Sequence, residues 1–96
     1  MPHIRAATAD DLPAVLGLYE SAGLDEPGTH DLARAQATFA RMQRYPDYRV
    51  LVAIDEGRIV GTLALAVLDN LAHDCAPSAL LEDVGVHPDT QGRGVG

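Results

Sequence analysis

The stretch from Val86 to Gly96 has the residue types and spacing of a loop that binds phosphate. The apolar residues from Leu80 to Val86 predict a β-strand, and Pro88 ends it because proline has no N–H to donate to a neighbouring strand. Three glycines follow at alternate positions in Gln91-Gly92-Arg93-Gly94-Val95-Gly96. Glycine adopts positive φ readily and lets a ligand approach the backbone closely. A strand that leads through such a loop into a helix directs unpaired N–H groups at an anion.

The spacing of this loop excludes two common phosphate-binding motifs. A Walker A loop needs a lysine after its last glycine, and the chain contains no lysine. A dinucleotide-binding fingerprint needs Gly-x-Gly-x-x-Gly, whereas this loop has Gly-x-Gly-x-Gly. What remains is Gln-x-x-Gly-x-Gly after a strand that ends in Val-x-Val-x-Pro, which closely resembles the acetyl-CoA signature of the GNAT superfamily of N-acetyltransferases. The alternative is a glycine-rich turn that binds no ligand.

The resemblance implies direct transfer of an acetyl group from acetyl-CoA to an amine within a ternary complex. Two groups of backbone amides would then hold the cosubstrate. Strand residues would bind the pantetheine arm, and one of their N–H groups would polarise the thioester carbonyl. Loop residues would bind the pyrophosphate. The strand group is Val84, Gly85 and Val86, and the loop group is Gln91, Gly92, Arg93, Gly94, Val95 and Gly96.

An ammonium acceptor must lose a proton before it attacks, so this chemistry needs a base near the thioester. Glu82 is the first candidate because it shares a face with Val84 and Val86 if the strand is regular. A β-bulge would reverse that parity and make Asp83 the candidate. The alternative for either acid is a solvated or paired carboxylate at a sheet edge. Two non-catalytic functions also stay open, an acyl-CoA-binding module and a fragment with no function of its own.

The preceding sequence predicts alternating helices and strands in the order β-α-α-β-β-β. Thr8, with Asp11 three residues later, is a helix N-cap, and Gly23 ends that helix. Glu56-Gly57 predicts a tight antiparallel hairpin. Residues 69–78 predict a loop, and Tyr19, Tyr45 and Tyr48 are expected to anchor packing. The predicted strands are 3–7, 48–54, 59–68 and 79–86, and the second helix is 31–44.

Composition limits the partners and the compartment. The chain has seven arginines but a formal net charge of −7. This negative charge opposes binding to nucleic acid and to anionic membranes, and it favours binding of a cationic amine. The resemblance to the GNAT superfamily implies a small-molecule amine or a protein N-terminus as acceptor, and the acidic charge is compatible with either. Cys75 is the single cysteine, which fits a reducing cytoplasm. The four histidines share no metal-site spacing with cysteine or acid, so we expect no metal.

The resemblance extends over nearly all 96 residues, and residues 69–89 are similar to a subgroup of small bacterial GNAT proteins. It implies an α/β (α+β) fold with a mixed, mostly antiparallel sheet and flanking helices. In the superfamily the chain continues from the glycine loop into a helix, a strand, a second helix and a second strand. We therefore expect residues 1–96 to form one incomplete domain whose C-terminal half is missing. Its last strand would leave an open edge for the rest of the chain, a second fragment or a twofold mate in a homodimer.

Overall fold

The computed structural model describes the backbone of residues 2–90 and the side chains of residues 2–89. Four antiparallel strands form one sheet in the order β1-β2-β3-β4, and two helices lie between β1 and β2 in the chain. This arrangement confirms the predicted order and fold class. The strands are β1 (His3–Ala6), β2 (Tyr48–Asp55), β3 (Arg58–Leu68) and β4 (Ser78–Val86), and the helices are α1 (Leu12–Ser21) and α2 (Leu32–Met42).

The Asp11 carboxylate fixes a short 3₁₀ turn at Ala9–Asp11 that leads directly into α1. The Thr8 backbone N–H donates to Asp11 Oδ2 at 2.7 Å, as predicted for a capping box. The Arg5 guanidinium donates two further bonds to the same carboxylate, at 2.6 and 3.0 Å. The Arg5 hydrogen bonds are the largest cause that lowers the pKa of Asp11 to about 2. These contacts connect β1 to α1, and Gly23, with φ +81°, follows the end of the helix.

The β2–β3 hairpin closes through Glu56 and Gly57, whose φ angles are +52° and +76°. Positive φ at both central residues is the geometry of a two-residue turn that matches the twist of the strands. Both strands extend one residue further toward the turn than predicted, to Asp55 and from Arg58. The hairpin prediction is therefore confirmed, with its ends shifted by one residue.

The hydrophobic core lies between one face of the sheet and the two helices. A register shift adds one residue to β3, because Ala53 pairs with Gly61 while Ile54 pairs with Ile59. The additional residue is Val60, which is only 1% exposed. We call the face of the sheet that α1 covers the helix face. The core cluster contains Ala7, Leu12, Val15, Phe39, Val50 and Val52.

The opposite face of the sheet is also apolar but is largely exposed among the described residues. Ile4, Leu81 and Val84 on this face are 66%, 56% and 51% exposed. The predicted loop at 69–78 contains a short turn at Ala72–Cys75 in which His73 and Asp74 have left-handed φ angles of +57° and +59°. None of the helices in residues 2–90 has the length and apolar character needed to cross a membrane.

Candidate functional site

A β-bulge interrupts β4 at the predicted catalytic residues. Thr62 pairs with Gly85 and Ala64 pairs with Glu82, so two steps along β3 are matched by three along β4. The extra residue falls at Asp83, whose φ of +53° is left-handed. A bulge bends its strand and redirects side chains, and bulges are common beside active sites.

The bulge changes which residues share a face with Glu82. Glu82 lies opposite Ala64 and therefore on the same face as Gly85 rather than with Val84 and Val86. β4 is therefore not the regular strand on which the expectation that Glu82 shares the face of Val84 and Val86 depends. The physical reason is the additional residue at Asp83, which forms the β-bulge that the sequence left open as the alternative.

Gly85 lies on the helix face, close to the end of α1. A β-carbon built at Gly85 would be 3.5 Å from Ala22 Cβ and 3.6 Å from the Leu18 carbonyl oxygen. These are ordinary van der Waals distances, so α1 passes just above β4 immediately after the bulge. The two acids at the bulge are therefore next to the C-terminal end of α1.

Two tyrosines lie within the electrostatic field of the two acids. Burial, followed by the charge of Asp83, raises the pKa of Tyr19 to about 12. Burial also raises the pKa of Tyr48, followed by the charges of Glu82 and then Asp83. Among residues 2–89, no hydrogen bond or ion pair involves the carboxylate of Glu82 or of Asp83. Both carboxylates are thus available to a ligand within this part of the chain.

A recess of about 380 Å³ lies beside Glu82. One wall is formed by Tyr45 and Tyr48, whose rings stack with centroids 5.8 Å apart and planes 16° apart. The remaining wall is aliphatic and comes from the far end of β3 and the start of β4, including Leu68 and Leu80. We call this space the tyrosine recess.

Sequence reasoning missed the tyrosine recess. Tyr19 does pack against the core, as expected, but Tyr45 is 55% exposed and stacks on Tyr48. The available signal was the Tyr-Pro-Asp-Tyr sequence between α2 and β2. That signal does not show that β4 brings Glu82 next to this pair, because the proximity depends on strand pairing.

The backbone of β4 after the bulge presents a polar group at the edge of the sheet. The His87 N–H donates to the Val60 carbonyl oxygen at 2.8 Å, toward β3. Successive N–H groups of a strand point to opposite edges, so the Val86 N–H points away from β3. Within the described residues, β4 has no strand on that side.

The predicted loop residues Gln91, Gly92, Arg93, Gly94, Val95 and Gly96 lie outside the described residues. The strand before them ends at Val86, and a short 3₁₀ turn at Pro88–Thr90 follows. His87 is near this turn, and its Nδ1 accepts a hydrogen bond from the Asp89 N–H at 3.2 Å. No group of three or more potential metal ligands occurs in the portion that the structure describes.

The chain is similar to known acetyltransferases in both sequence and fold. Residues 3–96 match the family model of the acetyltransferase (GNAT) domain. A solved candidate acetyltransferase from Agrobacterium tumefaciens strain C58 is 34% identical, with a TM-score of 0.82, over 96% of this chain and 63% of its own. The chain thus spans less than two thirds of the length of that relative. The comparison with curated proteins finds no match.

Two further solved structures share the fold. Glucosamine-6-phosphate N-acetyltransferase from Arabidopsis thaliana is 22% identical with a TM-score of 0.78, over 99% of this chain and 66% of its own. An aminoglycoside acetyltransferase from an uncultured soil metagenomic sample, solved in complex with sisomicin, is 25% identical with a TM-score of 0.71. The aligned region covers 99% of this chain and 62% of the metagenomic protein.

Proposed function

The chain belongs to the GNAT family of acetyltransferases, and on that premise we propose that it acts in the transfer of an acetyl group from acetyl-CoA to an amine. The acceptor is a small-molecule amine or a protein N-terminus, and attack is direct, within a ternary complex. The observation that carries the proposal is the bulge in β4, which places two carboxylates without a described partner next to an exposed strand edge. Residues 1–96 would form part of one acetyltransferase domain.

The edge of β4 fits the cosubstrate chemically. The pantetheine arm of CoA is an extended chain with amide groups, and an extended amide chain pairs naturally with an open strand edge. The Val86 N–H points to that edge, and Val84 beside it supplies an exposed apolar side chain. Val84, Gly85 and Val86 would hold this arm, and the amides of residues 91–96 would hold the pyrophosphate. Acetyl-CoA supplies the acetyl thioester.

Glu82 remains the proposed general base despite the bulge, because it lines the tyrosine recess, whereas Asp83 lies against the core beside Tyr19. It would accept the proton that the acceptor ammonium loses, which frees the nitrogen lone pair to attack the acetyl carbon. The new N–C bond forms first and gives a tetrahedral intermediate. The C–S bond of this intermediate then breaks, and the sulfur leaves as a thiolate that takes up the remaining excess proton of the attacking nitrogen. Asp83 is the alternative base, because it lies at the same bulge and also affects the nearby tyrosines.

The Val86 N–H is the proposed donor to the oxygen of the tetrahedral intermediate. A donor held rigidly by a strand needs no reorganisation when negative charge develops on that oxygen. Loss of one such donor typically lowers turnover by about 10²–10³-fold. The hydrogen bond from His87 to Val60 holds the strand in the orientation that directs the Val86 N–H outward.

The experiment is to incubate the purified protein with acetyl-CoA and a panel of amines, follow release of free thiol, and identify products by mass spectrometry. We expect thiol release that depends on the amine, together with an acceptor whose mass increases by one acetyl group. CoA binding without any acetylated product across the panel would contradict the proposal and favour an acyl-CoA-binding module.

A further inference from the structure

We infer that the tyrosine recess is the acceptor subsite and that it selects a primary ammonium attached to an apolar, preferably aromatic, group. This inference rests on the proposed function and names the substrate class of the same site. It starts from the position of the recess in the sheet, because three neighbouring strands contribute one row of side chains to it.

The strand register places the aromatic wall next to the proposed base. Tyr48 pairs with Ala66 on β3, and Ala66 pairs with Leu80 on β4. These three residues form one row across the sheet, and Glu82 begins the next row, opposite Ala64. A molecule in the recess therefore contacts an aromatic ring, an aliphatic floor and a carboxylate at the same time.

The chemistry of the walls favours a cation. A ring face attracts ammonium groups, and Tyr45 presents an exposed ring that is stacked on Tyr48. The Glu82 carboxylate adds a negative charge at one end, and Asp83 follows it at the bulge. Among the described residues that line the recess, none is basic. The recess therefore has no described group to neutralise a phosphate or a carboxylate on the acceptor.

The size and the apolar floor define the rest of the acceptor. A volume of about 380 Å³ is near the lower end of the range of small-molecule sites, which is roughly 300–1,000 Å³. Ala66, Leu68 and Leu80 offer no hydrogen-bonding side chain to a hydroxyl. A compact arylalkylamine or alkylamine satisfies this surface, whereas a polyhydroxylated sugar amine has more hydroxyls than the side chains of Tyr45, Tyr48 and Glu82 can pair.

The test is a calorimetric titration of the purified protein with 2-phenylethylamine, with and without CoA. The neutral isostere 2-phenylethanol and the small cation ethylamine separate the contributions of charge and ring. We expect 2-phenylethylamine to bind more tightly than either probe. Glu82→Gln and Tyr45→Ala should each weaken its binding by roughly tenfold or more, and Tyr45→Phe, which keeps the ring, should retain most of it.

Glu56→Gln is the matched control, because it removes the same charge at the exposed turn at the other end of the hairpin. It should bind 2-phenylethylamine like the parent. The inference is overturned if 2-phenylethylamine fails to bind, if 2-phenylethanol binds equally well, or if Tyr45→Ala and Glu82→Gln leave its affinity unchanged.

Binding and turnover distinguish this inference from the proposed function. Selective binding of 2-phenylethylamine without acetylation would support the recess and contradict acetyl transfer. Acetylation of amines at the same rate in the parent and in Tyr45→Ala, with no binding at the recess, would overturn the inference and leave acetyl transfer intact.

Discussion

Two extra residues interrupt the pairing of the sheet, Val60 in β3 and Asp83 in β4, and their environments are opposite. Val60 is 1% exposed and contributes to the core. Asp83 has a left-handed φ and carries a charge, at the edge of the described sheet. The same irregularity therefore serves stability in the interior and, in our proposal, chemistry at the edge. A bulge is thus a local change in direction whose role depends on the side chain and on what surrounds it.

Two carboxylates show the same contrast. Asp11 accepts hydrogen bonds from Arg5 and from the Thr8 backbone, and these bonds lower its pKa to about 2. Glu82 lies on an exposed part of β4 and has no hydrogen bond or ion pair within the described residues. A carboxylate whose acceptor sites are filled stabilises the fold, whereas one with open acceptor sites can exchange protons with a ligand.

The largest expected effect concerns the glycine loop that follows β4. Gly94→Val should abolish CoA binding, because a β-carbon there would block the close approach of the pyrophosphate or disfavour the backbone conformation that the loop needs. The substitution lies outside the hydrophobic core that the structure describes, so the midpoint temperature of thermal unfolding should change little. Calorimetry with CoA and a thermal melt provide the two measurements. Parental CoA affinity in this variant would remove the basis for assigning residues 91–96 to the pyrophosphate.

The next effect distinguishes Glu82 from Asp83 as the general base. Glu82→Gln should lower turnover by about 10²–10⁴-fold, the usual contribution of a general base, while CoA affinity stays near that of the parent. The loss should diminish at high pH, where the amine is already deprotonated in solution. Steady-state rates across pH provide the measurement, and Glu56→Gln is the control for the charge change. A rate within a few-fold of the parent at neutral pH, combined with a large loss in Asp83→Asn, would transfer the role of base to Asp83.

A smaller effect compares the same substitution at Val60, the extra residue in β3, and at Val84, which directly follows the extra residue in β4. Val60→Ala should lower the free energy of unfolding by roughly 2–3 kcal/mol, because it removes buried methyl groups and leaves a cavity. Val84→Ala, at a side chain that is 51% exposed, should change it by about 0.5 kcal/mol or less. Chemical denaturation of both variants measures the difference. Equal losses would show that the two bulges do not differ in the way described.

The last effect is the pH dependence that Asp11 contributes. Its pKa is lowered to about 2 in the folded state, so its stabilising contribution is fully present above the unfolded pKa of about 4 and is lost as pH falls toward 2. Asp11→Asn should therefore be less stable than the parent at pH 5–7, and the two should converge near pH 2. Unfolding curves across this range test the expectation, with the exposed neighbour Asp10→Asn as control. A constant difference at every pH would contradict it.

Sequence patterns predicted the fold well because the signals are local. Thr8 with Asp11 predicted the helix start, and Glu56-Gly57 predicted the hairpin turn, since each depends on residues a few positions apart. The candidate site was predicted less completely. The acids at 82 and 83 were named as candidates, but whether Glu82 shares a face with Gly85 or with Val84 depends on a bulge that no local pattern reveals. Tyr48 forms a row with Ala66 and Leu80, next to Glu82, through pairing across three strands. The spacing of residues in the sequence carries no information about that pairing.

The central claim is that the edge of β4 after the bulge and the glycine loop together hold acetyl-CoA. The most direct test is to add acetyl-CoA to the isotopically labelled protein and follow each backbone amide by NMR. The account predicts large shift changes at Val84, Gly85 and Val86 and along residues 91–96, with little change at the Glu56-Gly57 turn. Saturating acetyl-CoA that leaves the β4 amides unchanged, or that shifts mainly the turn, would contradict it.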